Sequence, residues 1–305
     1  MAKGPTAQYH KQLHPLYELG SMTCMKPQVV EKLYDPNFPL VLNIENTNGC
    51  NLECTFCPRP TNIRTMTLEH FKKLIDECPS GRVMLNLHKD GETLIHPQVN
   101  EMVEYAMKSG KFNTVHMNTN AVLLDRLTTK IDDLTVSLDA NNRKEFLKLK
   151  QRDEFVRVVH NTDNYIIAHA HDTNIRVKTV ETEDTSAEQL DTFVDRWGKF
   201  AQITGVHSWS GAIDIGVTDP MQDLRFPCPI LWYAMAVNAD HTVSACNVDW
   251  NHSLILGNTD VDDLSTIWKG KALADLREKH KHGVYPGACK ECTIWAGFSR
   301  GLTIV

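Results

Sequence analysis

Leu40-Val41-Leu42-Asn43-Ile44 is followed, four residues later, by Gly49-Cys50-Asn51-Leu52-Glu53-Cys54-Thr55-Phe56-Cys57. The apolar run reads as a strand, and the three cysteines, spaced C-x3-C-x2-C, fall in the loop directly after it. A strand feeding such a loop places three thiols at its carboxyl end, facing one small volume. Three soft sulfur ligands suit iron. A four-iron cluster wants four ligands, so this loop leaves one iron open, as catalytic metal sites keep a position that structural sites close. A zinc loop is the alternative, as are three unrelated buried thiols. Zinc would want a fourth ligand nearby, and the next cysteine or histidine, His70, falls on the following helix.

Outward from this loop the chain alternates. Thr67 to Ile75 carries apolar residues at helical spacing, with Thr67 as N-cap. Gly81–Leu87 reads as strand two, Pro97–Ser109 as a helix closed by Gly110, and Thr114–Met117 as strand three. A short helix over Leu123–Lys130 precedes strand four, Leu134–Leu138, and Phe155–Ala170 reads as helix. Strand five is Ile175–Val180, Ser186–Phe200 is helical, and strand six is expected over Gly205–Trp209. Six strands alternating with helices call for parallel pairing through right-handed crossovers. Six are too few to close an eight-stranded barrel, so the expected fold class is α/β, a partial (β/α)6 TIM-like barrel. In such folds ligands gather at the carboxyl ends of the strands, where Cys50, Cys54 and Cys57 fall.

Composition narrows the rest. The chain has 305 residues, 42% hydrophobic and 23% charged, with a net charge of −6 and no basic block. That excludes a nucleic-acid footprint and favours a small-molecule substrate. No apolar run is long enough to span a membrane, and the first residues do not form a secretory signal. Nine cysteines without an export signal point to reduced thiols, metal binding and a cytoplasmic location. Residues 1–38 read as an irregular wrap containing Cys24, residues 39–215 as the barrel, and residues 216–305 as a second unit.

The cysteine spacing, with aromatic Phe56 before the last thiol, resembles the radical S-adenosylmethionine (radical SAM) enzymes. That resemblance implies the same partial barrel, with SAM chelating the open iron and a reductant such as flavodoxin or ferredoxin. Asp90-Gly91-Glu92 looks like the family's Gly-Gly-Glu segment, which holds the amino group of SAM, with Asp90 replacing the first glycine. Asn118-Thr119-Asn120 and Ser137-Leu138-Asp139 resemble segments lining the SAM pocket. The resemblance therefore implies that Phe56, Asp90, Gly91, Glu92, Asn118, Asn120, Ser137 and Asp139 bind the cofactor.

Past Ile215 the alternation stops and Cys228, Cys246, Cys289 and Cys292 appear. Four thiolates could hold zinc. Behind a radical SAM barrel, with Leu256-Gly257-Asn258 and Ser265-Thr266-Ile267-Trp268 between them, they resemble the shortened SPASM module called twitch. That resemblance implies one auxiliary [4Fe-4S] cluster with a full set of cysteine ligands, suited to electron traffic. The single-cluster enzymes of this kind oxidise a hydroxyl of an aminocyclitol or sugar. The implied reaction is hydrogen abstraction from a polyol carbon, with oxidation to a ketone and the auxiliary cluster as electron acceptor. Epimerisation, with Cys24 as hydrogen donor, and peptide modification are the alternatives; a two-site iron–sulfur or zinc protein is the non-enzymatic one. Cys78, near the end of the first helix, lies away from the strand carboxyl ends. Candidates for a base or substrate clamp are Lys178, Glu181, His88 and His207, with Lys89, His116 and Asp249 behind them.

Overall fold

A computed structural model describes residues 34–181, 185–205, 208–214 and 225–292. Cys24, His207 and most of the N-terminal wrap lie outside the described residues. Nine strands form one sheet in the order β6-β5-β4-β3-β2-β1-β7-β8-β9. β1 (Val41–Ile44), β2 (Val83–Asn86), β3 (Phe112–Thr119), β4 (Asp133–Ser137), β5 (Asn174–Glu181) and β6 (Ala201–Gly205) pair in parallel, each with its sequence neighbour. This is the α/β partial barrel. Its free side at β1 is extended by β7 (Ala234–Val237), which pairs in parallel with β1. β8 (Thr242–Ser244) and β9 (Ile255–Asn258) continue the sheet antiparallel. The C-terminal strands are thus fused to the barrel's edge.

Helices cover the outer face. α1 (Leu68–Glu77) begins at Thr67, whose side chain accepts from His70 N, and buries Leu68, Phe71, Leu74 and Ile75. α2 (Val99–Ser109) ends at Gly110, which takes the left-handed conformation, φ 63°. That is the conformation glycine adopts without strain. α3 (Arg143–Lys150), α4 (Phe155–His169) and α5 (Ala187–Trp197) complete the barrel, and α6 (Leu264–Lys269) and α7 (Lys271–Lys281) follow β9. Leu42, Ile44, Leu85, Val115, Leu134 and Val177 lie in the core beneath these helices, each at most 1% exposed.

Three expectations shift. The helix over Leu123–Lys130 shrinks to a 3-10 turn, Leu124–Arg126, because Asn100 draws Thr128 into its own hydrogen bonding. Strand six sits earlier, at Ala201–Gly205. Trp209 and Ser210 have φ of 47° and 57°, incompatible with extended chain. α3 was not expected, because its short, mostly charged segment buries only Phe146 and Lys150.

α1 also joins the barrel to the C-terminal strands. His70 stacks on His241, ring centroids 3.6 Å apart and planes 2° from parallel. Asp260 Oδ1 lies 2.8 Å from His241 Nδ1 and 3.7 Å from His70 Nδ1. Parallel imidazoles offer no common in-plane point for one ion, so this is a packing joint. Burial and the neighbouring His241 lower the His70 pKa to about 4. The unfolded chain therefore binds a proton that the folded chain refuses, and stability falls as pH drops from about 6.5 towards 4. The urea midpoint should fall across that window, and less steeply in His70→Asn. The difference should be about 1 kcal/mol, since the site is partly solvated. Equal slopes would contradict a role for this joint.

Candidate active site

The cysteine loop is held at the carboxyl end of the barrel by its backbone. Glu53 N and Thr55 N donate to Lys150 O (3.1 Å) and Leu149 O (2.9 Å), the last carbonyls of α3. Those carbonyls have no partner within the helix, so the loop satisfies them. Glu92 N donates to Gly49 O at 2.8 Å, and Trp209 Nε1 donates to Phe56 O at 3.0 Å. Asn120 Nδ2 donates to Asn51 Oδ1 at 2.7 Å and lies 3.8 Å from Cys50 Sγ. Gly91 is where the second strand's loop meets this one. A Cβ there would sit 2.3 Å from Thr47 O and 2.5 Å from Gly49 O. Its φ is not in the left-handed region, so the requirement is for space.

The barrel interior is closed below by a polar ladder that crosses six strands, β7 and β1 to β5. Asn43 Nδ2 donates to Met235 O and Asn86 Nδ2 to Asn43 Oδ1, while His116 Nδ1 lies 2.9 Å from Asn86 Oδ1. His116 Nε2 and Arg176 Nε both reach Thr135 Oγ1 (each 3.2 Å), and Arg176 pairs with Asp133. Both nitrogens of His116 are therefore occupied, and burial beside the Arg176 cation holds its pKa well below the ordinary histidine value. His116 belongs to the floor.

Above the floor, hydrogen-bonding capacity is left unused. Lys178, two residues beyond Arg176 on the same face of β5, has no hydrogen bond or ion pair from its ammonium among the described residues. Burial pushes its pKa below the usual lysine value, with Lys150 adding to the effect and Asp139 opposing it. His88 Nδ1 is buried without a partner, and burial together with the Lys178 and Lys89 cations lowers its pKa to about 3. Asn118 and Ser137 are half-buried strand residues on the same inner face. Asp139 takes a left-handed φ of 60°; its Oδ2 accepts from Lys150 Nζ at 2.5 Å, while Oδ1 is buried with no partner.

Lys150 is a site residue that the sequence reading missed. It is the last residue of α3, 2% exposed, with its ammonium 5.0 Å from the Phe56 ring centre. Burial alone would lower its pKa, but Asp139 and the Cys54 and Cys57 sulfurs outweigh this and hold it raised.

The other expected site residues divide. Glu92 is 2% exposed and occupied: Oε1 accepts from Thr119 Oγ1 (2.7 Å) and Leu94 N (3.1 Å), and Oε2 from Asn120 N (2.7 Å). It ties the ends of β2 and β3 together behind the loop. Asp90 pairs with Lys89, whose ammonium also donates to Asp249 O at 3.2 Å. The Asp249 carboxylate accepts from Ser253 N, Ser253 Oγ and Leu254 N. Lys89 and Asp249 therefore link the barrel to the C-terminal unit and are not free to act as bases. Glu181 is exposed at the end of β5, an odd number of residues from Lys178 and so on the other face.

The second thiol set also converges. Cys228, Cys246, Cys289 and Cys292 line one cavity together with Arg225 and Val248, among others. Cys228 caps a 3-10 turn, Pro229–Trp232, Cys246 follows β8, and Cys289 closes the turn Gly287–Cys289.

All eight described cysteines are free. Burial pushes the thiols up, Cys50 to about 11 and Cys57 to about 12, with Cys54, Cys228, Cys246 and Cys289 also raised. Thiols so placed ionise only if a cation accompanies them, and a metal centre supplies it. Three at the barrel mouth and four behind fit one under-liganded and one fully liganded iron–sulfur cluster. Lys178 feels the charges of Asp139, Cys54 and Cys57, and His88 that of Lys178, so the unpartnered His88 Nδ1 and Asp139 Oδ1 belong to one polar neighbourhood with the three-thiol loop, which suits a polar cofactor such as SAM.

Residues 44–183 match the model of the radical SAM superfamily, and residues 228–293 that of SPASM, an iron–sulfur cluster-binding domain. The chain is 28% identical over 162 residues to GTP 3′,8-cyclase of Chlorobaculum tepidum, covering 50% of this chain and 48% of the cyclase. It is 35% identical over 89 residues to the antilisterial bacteriocin subtilosin biosynthesis protein AlbA of Bacillus subtilis, covering 28% and 19%. The chain thus spans about half the length, or less, of these curated relatives. SuiB of Streptococcus suis bound to precursor peptide SuiA superposes with a TM-score of 0.65 at 16% identity, covering 79% of this chain and 67% of that one. BtrN in complex with AdoMet and 2-DOIA superposes at 0.52 and 14%, covering 84% and 93%. Among the described residues no helix is long and apolar enough to cross a membrane. With the cysteine geometry, these matches show a radical SAM domain over residues 44–183 and a SPASM iron–sulfur cluster-binding domain over residues 228–293, which imply SAM and [4Fe-4S] clusters as cofactors.

Proposed function

We propose that the chain is a radical SAM dehydrogenase that oxidises a hydroxyl of a small polyol-type substrate, a sugar or aminocyclitol, to a ketone. When bound, SAM and the two clusters supply a radical that removes a carbon-bound hydrogen and a one-electron acceptor for what remains. The chain's own residues must supply a polar chamber and a base for the hydroxyl proton. The observation that carries this reading is Lys178: an inward-facing lysine without a partner among the described residues, lowered in pKa by burial, above a closed polar floor and next to the unpartnered Nδ1 of His88. A lysine so depressed can hold the neutral amine that takes a proton. Asn118, Ser137 and Asp139 orient the cofactor and substrate, and the Lys150–Asp139 pair fixes that wall. We assign the external reductant to a flavodoxin or ferredoxin.

Peptide modification is the second reading, favoured by the sequence match to AlbA and by the superposition on SuiB with its peptide. Epimerisation needs a thiol at the site. Cys78 is 3% exposed at the end of α1, its sulfur 3.3 Å from Leu74 O, and so is removed from the chamber. That reading then rests on Cys24.

Deuterated polyols, peptides and nucleotides offered separately should give deuterium in 5′-deoxyadenosine only from the polyol; transfer from a peptide alone would replace the first reading by the second. Lys178→Met should retain 5′-deoxyadenosine formation within a few-fold and lose about 10²-fold or more of ketone. In the wild type, ketone formation should rise with pH through an apparent pKa below the ordinary lysine value. Unchanged ketone formation in Lys178→Met would remove Lys178 as the base.

A further inference from the structure

Two polar layers cross the barrel interior, one closed and one open. The closed layer is the floor: Asn43, Asn86, His116, Thr135 and Arg176 are each at most 6% exposed, and a hydrogen bond joins each to the next. Two residues further along the same strands, on the same face, come Glu45, His88, Asn118, Ser137 and Lys178. Strand pairing continues just past β2, where Leu87 N donates to His116 O at 2.8 Å, so His88 keeps the inward face of Asn86. Glu45 is occupied, accepting from Asp90 N at 3.1 Å and from Ala239 N at 2.9 Å. The other four are half-buried, and none has a side-chain hydrogen bond or ion pair among the described residues. Polar groups inside a protein are ordinarily partnered, so four open ones in a single layer mark where a ligand supplies the partners.

His88 and Lys178 stand at the two ends of this open layer. β3 and β4 separate their strands in the sheet, yet the Lys178 charge reaches His88, so both side chains look into one chamber. Both nitrogens of the His88 ring lack a partner among the described residues, unlike those of His116 in the floor below. Burial, with the Lys178 and Lys89 cations, lowers the His88 pKa to about 3. The ring is therefore neutral near pH 7 and offers one donor and one acceptor. The same two cations disfavour an ammonium group beside it, whereas a hydroxyl meets no such penalty.

We propose that His88 is a specificity-determining residue of the chamber: it hydrogen-bonds a second substrate hydroxyl, on a carbon other than the one oxidised, and selects hydroxyl over amine at that position. This rests on the dehydrogenase reading above and deepens it. Lys178 takes the proton of the reacting hydroxyl, and His88 holds the substrate by another. A site built to bond a hydroxyl rejects the analogue lacking it, because the site's own polar group is then left unpaired.

The test offers C-deuterated glucose, galactose, glucosamine and myo-inositol to the full-length reconstituted enzyme. Deuterium in 5′-deoxyadenosine identifies the polyol used and the position attacked. No transfer from any of the four removes the dehydrogenase reading and this inference with it. The active polyol is then compared with its monodeoxy and amino-deoxy analogues by kcat/KM for ketone. In the wild type, one position other than that oxidised should lose about 10²-fold or more on either replacement. In His88→Phe the parent polyol should fall towards its deoxy analogue, so that this ratio collapses to about three-fold or less, while 5′-deoxyadenosine still forms. A general loss of structure would lower both substrates together and leave the ratio unchanged. A His88→Phe ratio equal to the wild-type ratio overturns the inference, as does a wild type indifferent to every hydroxyl but the one oxidised. If the Phe variant takes up no iron, His88→Ala is read by the same ratio: a collapse supports the inference, and no change overturns it.

Discussion

Replacing Cys50, Cys54 and Cys57 together by alanine reduces 5′-deoxyadenosine formation to background, a loss of about 10³-fold or more, while about four of eight irons per chain remain. The two halves of this expectation come from different parts of the fold. The three thiols lie on a loop whose backbone is anchored independently, through Glu53 N, Thr55 N and Gly49 O, so the barrel survives their loss. The second set lies around β7 and β8, with its own cavity. Replacing Cys289 and Cys292 should do the reverse, sparing SAM cleavage and blocking ketone. Iron analysis and chromatography of the cleavage product check both variants. Normal oxidised product from the Cys289/Cys292 variant would contradict the electron-acceptor role.

Gly91→Ala is the smallest change with a comparable effect. The new methyl group would meet Thr47 O and Gly49 O at 2.3 and 2.5 Å, and both are backbone atoms of the segment that carries Cys50. Backbone on both sides cannot give way as a flexible side chain would. Relief requires moving the cysteine loop or breaking Glu92 N–Gly49 O. We expect a cost of about 3 kcal/mol, at the upper end for overpacking. First-cluster iron should be lost and 5′-deoxyadenosine should fall by about 10²-fold or more. Urea denaturation and iron counting decide it; a Gly91→Ala protein that loads and unfolds like the wild type would refute the close-approach argument.

How far the sequence was readable follows from which forces act locally. The alternation of strands and helices, the Thr67 and Gly110 caps and the grouping of both cysteine sets were legible, because periodicity and spacing are written in adjacent residues. α3 was not, since one buried apolar side chain gives no period. Its signal was the cap, Asn142 accepting from Glu145 N while Glu145 accepts back from the Asn142 amide. Missing α3 also hid Lys150, which meets the cluster loop only through tertiary packing. β6 was displaced because the apolar look of Gly205–Trp209 outweighed a weaker alternation in Ala201–Thr204. Glu92 and His116 were seen as chemistry-bearing residues, but only the hydrogen bonds show that Glu92 fastens the strand ends and His116 the barrel floor.

Radical chemistry in this fold depends on an iron at the barrel mouth that the protein leaves one ligand short. Pulsed electron–nuclear double resonance on the reduced protein, with SAM carrying ¹⁵N in its methionine amino group, looks directly at that position. The structure predicts a ¹⁵N coupling large enough for nitrogen bonded to cluster iron, absent from the Cys50/Cys54/Cys57 variant. An intact, reduced first cluster showing no such coupling in saturating SAM would contradict it.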